Sequence, residues 1–437
     1  MKTVNPPASL KANGERSQTI KFYTFGCKVN QYETQAIREQ FLTSGFEEIG
    51  NGKVADIYLI NTCTVTQKAD ADSLYYIRRA RRENPKGKII VTGCLTELDA
   101  EKIKGTRGAD LVVKNKDKDK ILSRLIGRNT QYAVRNTRGI SYFQGHTRAF
   151  LKIQDGCNNF CSYCKVPLVR GKSRSKPLSV LLKEAGRLVK NGIKEIVLCG
   201  ICLGSYGKDL SPGISLVDAI NGLAKIEGLL RIRLSSIEAA DVSDELIERM
   251  AGSKKLCRHL HIPIQSGDDE VLKKMKRRYT RAGYTDLINK IKSRMPLVAI
   301  TTDILVGFPG ESDDNFRNTA DLIRETAPLK THIFPYSARE GTFAADNYKQ
   351  ELSPGIIKER IALLNDIAAD SAIEYKKQFL NRTMEVLIEG RVKDDRCYWR
   401  GRTNNYMKVM VKTGLDLANK IINLRMKRLV KDYILAK

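Results

Sequence analysis

Cys157-Asn158-Asn159-Phe160-Cys161-Ser162-Tyr163-Cys164 places three thiols in eight residues, directly after Lys152-Ile153-Gln154-Asp155-Gly156. The spacing is Cys-x3-Cys-x2-Cys, and no fourth cysteine sits close by. Three ligands can wrap three corners of a four-iron cluster and leave the fourth iron open. A structural zinc site closes its shell with four protein ligands, and an electron-transfer cluster uses four cysteines. An open corner suits an iron that must hold something else. The alternative is ordinary packing, since free Cys is often a small core residue. Packing gives no reason for thiols to gather after an Asp-Gly turn with Asn158 and Asn159 between them, and such a spacing rarely lacks a metal.

Working outward, Cys27 ends the run Ile20–Gly26, Cys63 ends Ala55–Thr62, and Cys94 ends Lys88–Gly93. Each run is short, apolar or alternating, and stops at Gly, Asn or Thr, as a strand does. Helix-like sequence follows each cysteine. The cysteines are 36 and 31 residues apart, about one βα unit each. Ends of successive parallel strands lie side by side, and sites form beyond their carboxyl ends. Cys27, Cys63 and Cys94 are therefore expected to converge on one sheet edge as a second cluster site, again one ligand short. Each alone reads as a core cysteine; the repetition at strand ends favours a site.

The same alternation gives the architecture. Residues 19–127 read as an N-terminal parallel α/β domain, and residues 128–148, rich in Asn, Thr, Arg and Gly, as a linker. Within 149–353, strands are predicted near 149–154, 194–199, 230–235, 258–264, 298–306 and 330–336, with helices such as Ser179–Asn191, Ser243–Met250 and Asp313–Thr326 between them. Regular βα repeats imply right-handed crossovers and a parallel sheet, and six repeats make a partial barrel. A connecting helix fills 354–382, and residues 383–437 alternate as a small antiparallel β-barrel. The fold class is α/β with that C-terminal barrel. Residues 1–18 read as disordered.

The formal net charge is +27 over 437 residues, so an acidic partner is expected, most simply nucleic acid. Residues 376–437 hold 16 Lys and Arg against 6 Asp and Glu, while 149–375 hold 34 against 28. The ends should carry much of the nucleic-acid surface. The run Arg78-Arg79-Ala80-Arg81-Arg82 fits phosphate contact or a solvated helix face. No apolar run is long enough to cross a membrane, the start has no apolar signal segment, and ten cysteines without secretion point to reduced thiols or metal.

Polar groups recur where barrel strands end: Gly200, Ser235 and Glu238, Gln265 in His261–Gly267, Gly307–Glu311, and Arg339 after the last strand. Catalytic groups gather at such ends. Singly, each is an ordinary turn or cap; together with the thiols they argue for one pocket. His261 reads as a core or hydrogen-bonding histidine rather than a base.

The Cys157 triad with Lys165–Ser175, the three strand-end cysteines, Leu203–Gly207, His261–Gly267 and Gly307–Glu311 together resemble the radical-SAM methylthiotransferase family over residues 20–437. Gly26–Gln35 is most like the branch acting on N6-threonylcarbamoyladenosine at position 37, in the anticodon loop of tRNA, and Trp399–Tyr406 is similar to the family's RNA-binding TRAM barrel. The resemblance implies two [4Fe-4S] clusters, on Cys157/Cys161/Cys164 and Cys27/Cys63/Cys94, and S-adenosyl-L-methionine used as methyl donor and radical source. It implies that the chemistry is borne by the cofactors, with no catalytic side chain assigned. Tyr163, Gly200, Ser235, Glu238 and Gln265 would bind S-adenosylmethionine, Tyr163 packing on its adenine or shielding the cluster. Arg339 would meet the substrate carboxylate through a bidentate contact. tRNA rather than DNA or a membrane is the expected partner, with an electron donor and a sulfur source, in a cytoplasmic monomer.

Two departures stand out. Cys199 and Cys202 occupy positions where Thr and Asn are expected, and the C-terminal barrel lacks a glycine-rich end. Other readings are methylthiolation of isopentenyladenosine or of a ribosomal-protein aspartate, and a non-catalytic iron–sulfur protein that binds RNA or senses redox state. The charge weighs against the aspartate, and the polar strand ends weigh against the last reading.

Overall fold

The computed structural model describes residues 17–50, 52–106, 108–127 and 139–437. Residues 1–16 of the segment expected to be disordered and 128–138 of the expected linker lie outside the described residues. The chain gathers into two compact units: residues up to 144 with 150–159 and 164–192, and residues 145–149, 160–163 and 193–437.

The first unit is built on β1 (Thr19–Thr24), β2 (Glu47–Glu48), β3 (Ile57–Thr62), β4 (Lys88–Gly93) and β5 (Leu111–Val113). All are parallel, in the order β2-β1-β3-β4-β5. Between them run α1 (Lys28–Thr43), α2 (Gln67–Glu83) and α3 (Thr96–Thr106), with α4 (Ile121–Ile126) following β5. The sheet is apolar on both faces, as a parallel sheet covered by helices must be. Tyr58, Ile60, Ile89 and Val91 pack with Ile77 and Ala80 of α2. Ile57, Leu59 and Ile90 pack with Ile37 and Phe41 of α1 and Ile121 of α4. The strand order reverses at β1, because β2 lies on one side of it and β3 on the other. Ligands in open α/β sheets bind outside the strand carboxyl ends at such a reversal.

β6 (Arg148–Lys152) starts in the second unit at 148–149 and runs on into the first. There β7 (Gln154–Asp155) pairs antiparallel with β8 (Arg174–Ser175), and α5 (Val166–Arg170) and α6 (Leu178–Lys190) follow the cysteine loop.

In the second unit the predicted alternation is present. β9 (Glu195–Cys199) leads to α7 (Leu216–Ala224), β10 (Arg231–Leu234) to α8 (Asp244–Ala251), and β11 (His259–His261) to α9 (Asp269–Lys274) and α10 (Arg281–Arg294). β12 (Ala299–Val306) leads to α11 (Asp313–Thr326), and β13 (Lys330–Pro335) to α12 (Phe343–Asn347). β9 pairs parallel with β10, a Ser236–His261 bridge carries the row to β11, and β12 and β13 complete it. Every carboxyl end therefore faces the same edge. Among the described residues no helix is long and apolar enough to cross a membrane.

α13 (Pro354–Lys377) carries the chain to β14 (Thr383–Arg391), β15 (Tyr398–Thr403), β16 (Lys408–Lys412), β17 (Ile421–Val430) and β18 (Tyr433–Ala436). They close into a barrel in the order β14-β15-β16-β18-β17. The expected antiparallel barrel needs one refinement, because β16 and β18 pair parallel. Its core holds Val386, Ile388, Trp399, Val409, Met426 and Ile434, with Tyr375 and Phe379 from α13 packed into it. Buried Arg231 and Arg233 of β10 fasten the barrel to the strand–helix body. Arg231 donates to the carbonyls of Arg402 (3.1 Å) and Glu385 (3.0 Å), and Arg233 to those of Asn404 (2.9 Å) and Thr403 (3.2 Å).

Candidate functional site

In the first unit the three strand-end cysteines follow adjacent strands. Cys27 is the residue before α1, Cys63 follows β3 and Cys94 follows β4. The backbone at Gly26 has φ +87°, and a Cβ there would come within 2.6 Å of the Cys63 sulfur. A side chain at that glycine would therefore separate the two cysteine loops. Burial pushes the Cys63 thiol up to about 11, and it raises Cys94 too. Cys27 lies within electrostatic reach of both. Cys63 and Cys94 are buried, while Cys27 is exposed.

A buried polar network lies among the same loops. The Asn30 amide donates to the Phe25 carbonyl (2.8 Å) and the Thr62 carbonyl (2.9 Å), which ties the Cys27 loop to the Cys63 loop. Its side-chain oxygen accepts from Arg170. Arg170 also pairs with Glu33 (2.9 Å) and Asp155 (2.9 Å). Glu33 is paired with Lys152 (2.8 Å) and, in close contact, with Lys118. Lys118 in turn donates to the Asn61 side chain (3.1 Å) at the end of β3. Burial alone would raise the Glu33 carboxyl, but Lys118, Lys152 and Arg170 hold it well below the usual carboxylate range.

The Cys157 loop has its own constraints. In the first unit, Gly156 has φ +72°, and a Cβ there would meet the Lys172 carbonyl at 2.1 Å. The Cys157 N–H donates to the Gly171 carbonyl at 3.1 Å, and the Asn159 N–H points at the Cys157 sulfur from 3.4 Å. An N–H aimed at sulfur suits a thiolate better than a thiol. In the second unit, the Ser162 N–H donates to the Met275 carbonyl (3.0 Å) and its carbonyl accepts from Ala344 (2.7 Å). Arg277 donates to the Cys161 sulfur at 3.3 Å and pairs with Glu238 at 2.6 Å. Its guanidinium also lies 3.5 Å from the Tyr163 hydroxyl. The Tyr163 ring packs with Val271, Met275, Phe308 and Ala344.

Other residues named from sequence stand on the common edge of the second unit. Gly200 follows β9 and Ser235 follows β10. The Ser235 hydroxyl is buried with no partner among the described residues, so the position fits a polar ligand atom. Burial raises the Glu238 carboxyl even though Arg277 and Arg278 pull it down. Gln265 holds φ +72°, a left-handed conformation that costs a non-glycine residue of order 1–3 kcal/mol and marks functional sites. His261 contacts Thr301 (2.8 Å) and Asp303 (3.2 Å), in keeping with a hydrogen-bonding role. Arg339 is buried, and its carbonyl accepts from Thr342. Cys199 and Cys202 are buried, with the Cys202 sulfur 3.1 Å from the Ser205 hydroxyl. In the basic run, Arg81 is tied to Asp110 (2.7 Å) and three carbonyls; Arg78, Arg79 and Arg82 are the exposed members.

Among the described residues no three His, Cys, Asp or Glu side chains converge tightly enough for a single metal ion. A four-iron cluster spreads its thiolates over separate irons, so it asks for no such single-ion convergence. Arg277, Arg170, Glu33 and Lys118 were missed in the sequence. Arg277 stands in the basic string Lys273–Arg278, where nothing sets it apart from its neighbours, and the Arg170 partner Glu33 lies 137 positions away.

Residues 151–323 match the radical SAM superfamily, and 19–114 match an uncharacterized protein family, UPF0004. A threonylcarbamoyladenosine tRNA methylthiotransferase MtaB of Bacillus subtilis (strain 168) is 40% identical over 93% of this chain and 93% of its own length. A tRNA-2-methylthio-N(6)-dimethylallyladenosine synthase of Alkaliphilus oremlandii is 32% identical over 97% and 96%. Among solved structures, a radical S-adenosylmethionine methyltransferase, TsrM, from Kitasatospora setae superposes with a TM-score of 0.54 at 15% identity, covering 76% of this chain and 77% of that one. Its likeness is one of fold. The superfamily brings S-adenosylmethionine and a [4Fe-4S] cluster with it. With relatives of this identity along nearly its whole length, the chain belongs to the radical-SAM methylthiotransferase family.

Proposed function

We propose that the protein adds a methylthio group to carbon 2 of N6-threonylcarbamoyladenosine in the anticodon loop of tRNA. The observation that carries the reading is full-length similarity at 40% to a threonylcarbamoyladenosine enzyme, against 32–34% to the dimethylallyladenosine synthases. Cys157, Cys161 and Cys164 would hold the cluster that binds S-adenosylmethionine, and Cys27, Cys63 and Cys94 a second four-iron cluster. Carbon 2 of adenine bears an unactivated hydrogen, so acid–base chemistry cannot replace it. When bound, the clusters and S-adenosylmethionine supply radical formation, sulfur delivery and the methyl group.

The chain's own residues supply charge, shape and exclusion of water. Arg277 offsets negative charge at the Cys161 sulfur and holds Glu238 toward the strand ends. Tyr163, Gly200, Ser235, Glu238 and Gln265 are the proposed S-adenosylmethionine contacts, supported by the orphaned Ser235 hydroxyl and the strained Gln265 backbone. Arg339 is the proposed partner of the substrate carboxylate. The C-terminal barrel, at residues 383–437, is the proposed RNA-binding domain, supported by exposed Arg425, Lys427 and Arg428 on β17. The domain limits 19–127, 128–148, 149–353 and 354–382 belong to the same proposal. So do a monomeric state, a cytoplasmic location, an electron donor and a sulfur source.

The test is nucleoside mass spectrometry after reaction of the reduced, reconstituted protein with tRNA carrying or lacking the threonylcarbamoyl group. The expected product is 2-methylthio-threonylcarbamoyladenosine. Methylthiolation of isopentenyladenosine instead would overturn the branch assignment.

A further inference from the structure

The buried network around Glu33 contains three cations, Lys118, Lys152 and Arg170, and two carboxylates, Glu33 and Asp155, with the exposed Arg174 reaching Asp155 at 3.8 Å from its rim. Arg170 and Glu33 are nearly sealed from solvent, with side-chain exposures of 2% and 8%. Buried charge is costly and is kept neutral unless something nearby compensates it. Inside the network one positive charge is left over.

Its geometry points at the strand-end cysteines. Through Asn30, Arg170 is two hydrogen bonds from both the Cys27 loop and the Cys63 loop. Through Asn61, Lys118 reaches the end of β3, two residues before Cys63. Burial draws the Lys118 amine down, yet it donates to two acceptors, Glu33 and Asn61, as an ammonium does. A structural ion network alone needs no surplus of one sign and no connection to these loops.

We infer that Arg170 and Lys118 are positioning residues that place a fixed positive charge against the Cys27/Cys63/Cys94 site and set the reduction potential of the cluster held there. The inference rests on the proposed second cluster. Reduction adds negative charge, and a buried cation favours the reduced form more strongly than the oxidised one. Net charge near a cluster is one of the determinants of its potential. The inference includes a direction: removing a cation lowers the potential, and removing the Glu33 carboxylate raises it.

The experiment uses the full chain with Cys157, Cys161 and Cys164 replaced by Ala, so that iron can reside only at the strand-end site. After anaerobic reconstitution, iron content is measured, and the midpoint potential is read by spectroscopically monitored redox titration. Lys118→Met and Arg170→Met should shift it to more negative values, Arg170→Lys should stay near the parent, and Glu33→Gln should shift it to more positive values. Damage to the fold would not move the potential in opposite directions for Lys118→Met and Glu33→Gln. Unchanged or same-signed shifts in iron-loaded variants would overturn the inference. Absence of iron from the parent Cys→Ala protein would instead overturn the second cluster on which it rests.

Discussion

The two thiol sets are assembled by different means. Cys157, Cys161 and Cys164 stand within eight consecutive residues, with Gly156 permitting the turn before them. Cys27, Cys63 and Cys94 come together because the order β2-β1-β3-β4-β5 sets three strand ends side by side. The first arrangement depends on one loop, and the second on a whole sheet. Damage to the loop should therefore remain local, whereas the strand-end set should report on the integrity of the α/β unit.

The largest expected effects divide along that line. Replacing Cys157, Cys161 and Cys164 with Ala should abolish reductive cleavage of S-adenosylmethionine and remove about four of roughly eight irons, following four-iron chemistry at each site. Replacing Cys27, Cys63 and Cys94 should remove the other irons and the methylthio product, yet leave cleavage intact. Iron assay and detection of deoxyadenosine decide both. If the second triple variant keeps all its iron, the two sets are not two sites.

Glycine substitutions sharpen the contrast. Gly156→Ala drives a Cβ into backbone that cannot yield, the Lys172 carbonyl at 2.1 Å, at φ +72°. It should disable the Cys157 site at a cost on the order of 1–3 kcal/mol from the backbone conformation alone. Gly26→Ala meets the Cys63 sulfur and should lower iron only at the strand-end site. Cluster-specific electron paramagnetic resonance would tell the two apart, and equal loss of both signals in either variant would refute the division.

A smaller effect is expected at Arg277. Arg277→Ala removes the ion-pair partner of the half-buried Glu238, whose charge Arg278 still offsets in part. Denaturant unfolding and S-adenosylmethionine affinity should both fall, while iron at Cys27, Cys63 and Cys94 is retained. The smallest effect is expected on the barrel surface. Replacing Arg425, Lys427 and Arg428 with Gln should weaken tRNA binding and flatten its salt dependence by up to about 0.7–0.9 in slope for each phosphate no longer neutralised. Cleavage of S-adenosylmethionine should be unchanged. An unaltered salt slope would remove β17 from the RNA surface.

Sequence reading recovered what is local or periodic. Asp313–Thr326 is a helix over the predicted residues, and every predicted strand of the second unit is present within a few positions. Strand-end cysteines were legible because a cysteine directly follows β3 and β4 and lies three residues beyond β1. Charge pairing over long separations was not legible. Arg170 to Glu33 and Arg277 to Cys161 join residues 137 and 116 positions apart, and nothing in either segment marks its partner. The C-terminal barrel was legible as a barrel, but not as one bound to the body by Arg231 and Arg233. Deleting residues 383–437 would strip both arginines of their barrel carbonyl acceptors, leaving Glu195 as their partner, and expose Tyr375 and Phe379. Such a truncation should lower stability as well as RNA affinity, which makes surface charge substitutions the cleaner probe.

The uneven exposure of the strand-end thiols has a practical consequence. Of the ten cysteines, Cys27 and Cys397 are exposed, and Cys63 and Cys94 are sealed. A thiol alkylating reagent should therefore mark Cys27 and Cys397 first in iron-free protein. Once iron is ligated, Cys27 should resist labelling while Cys397, in the loop between β14 and β15, continues to react. The ratio of the two labels, read by peptide mass spectrometry, then becomes an occupancy gauge for one site, with its internal standard built into the same polypeptide.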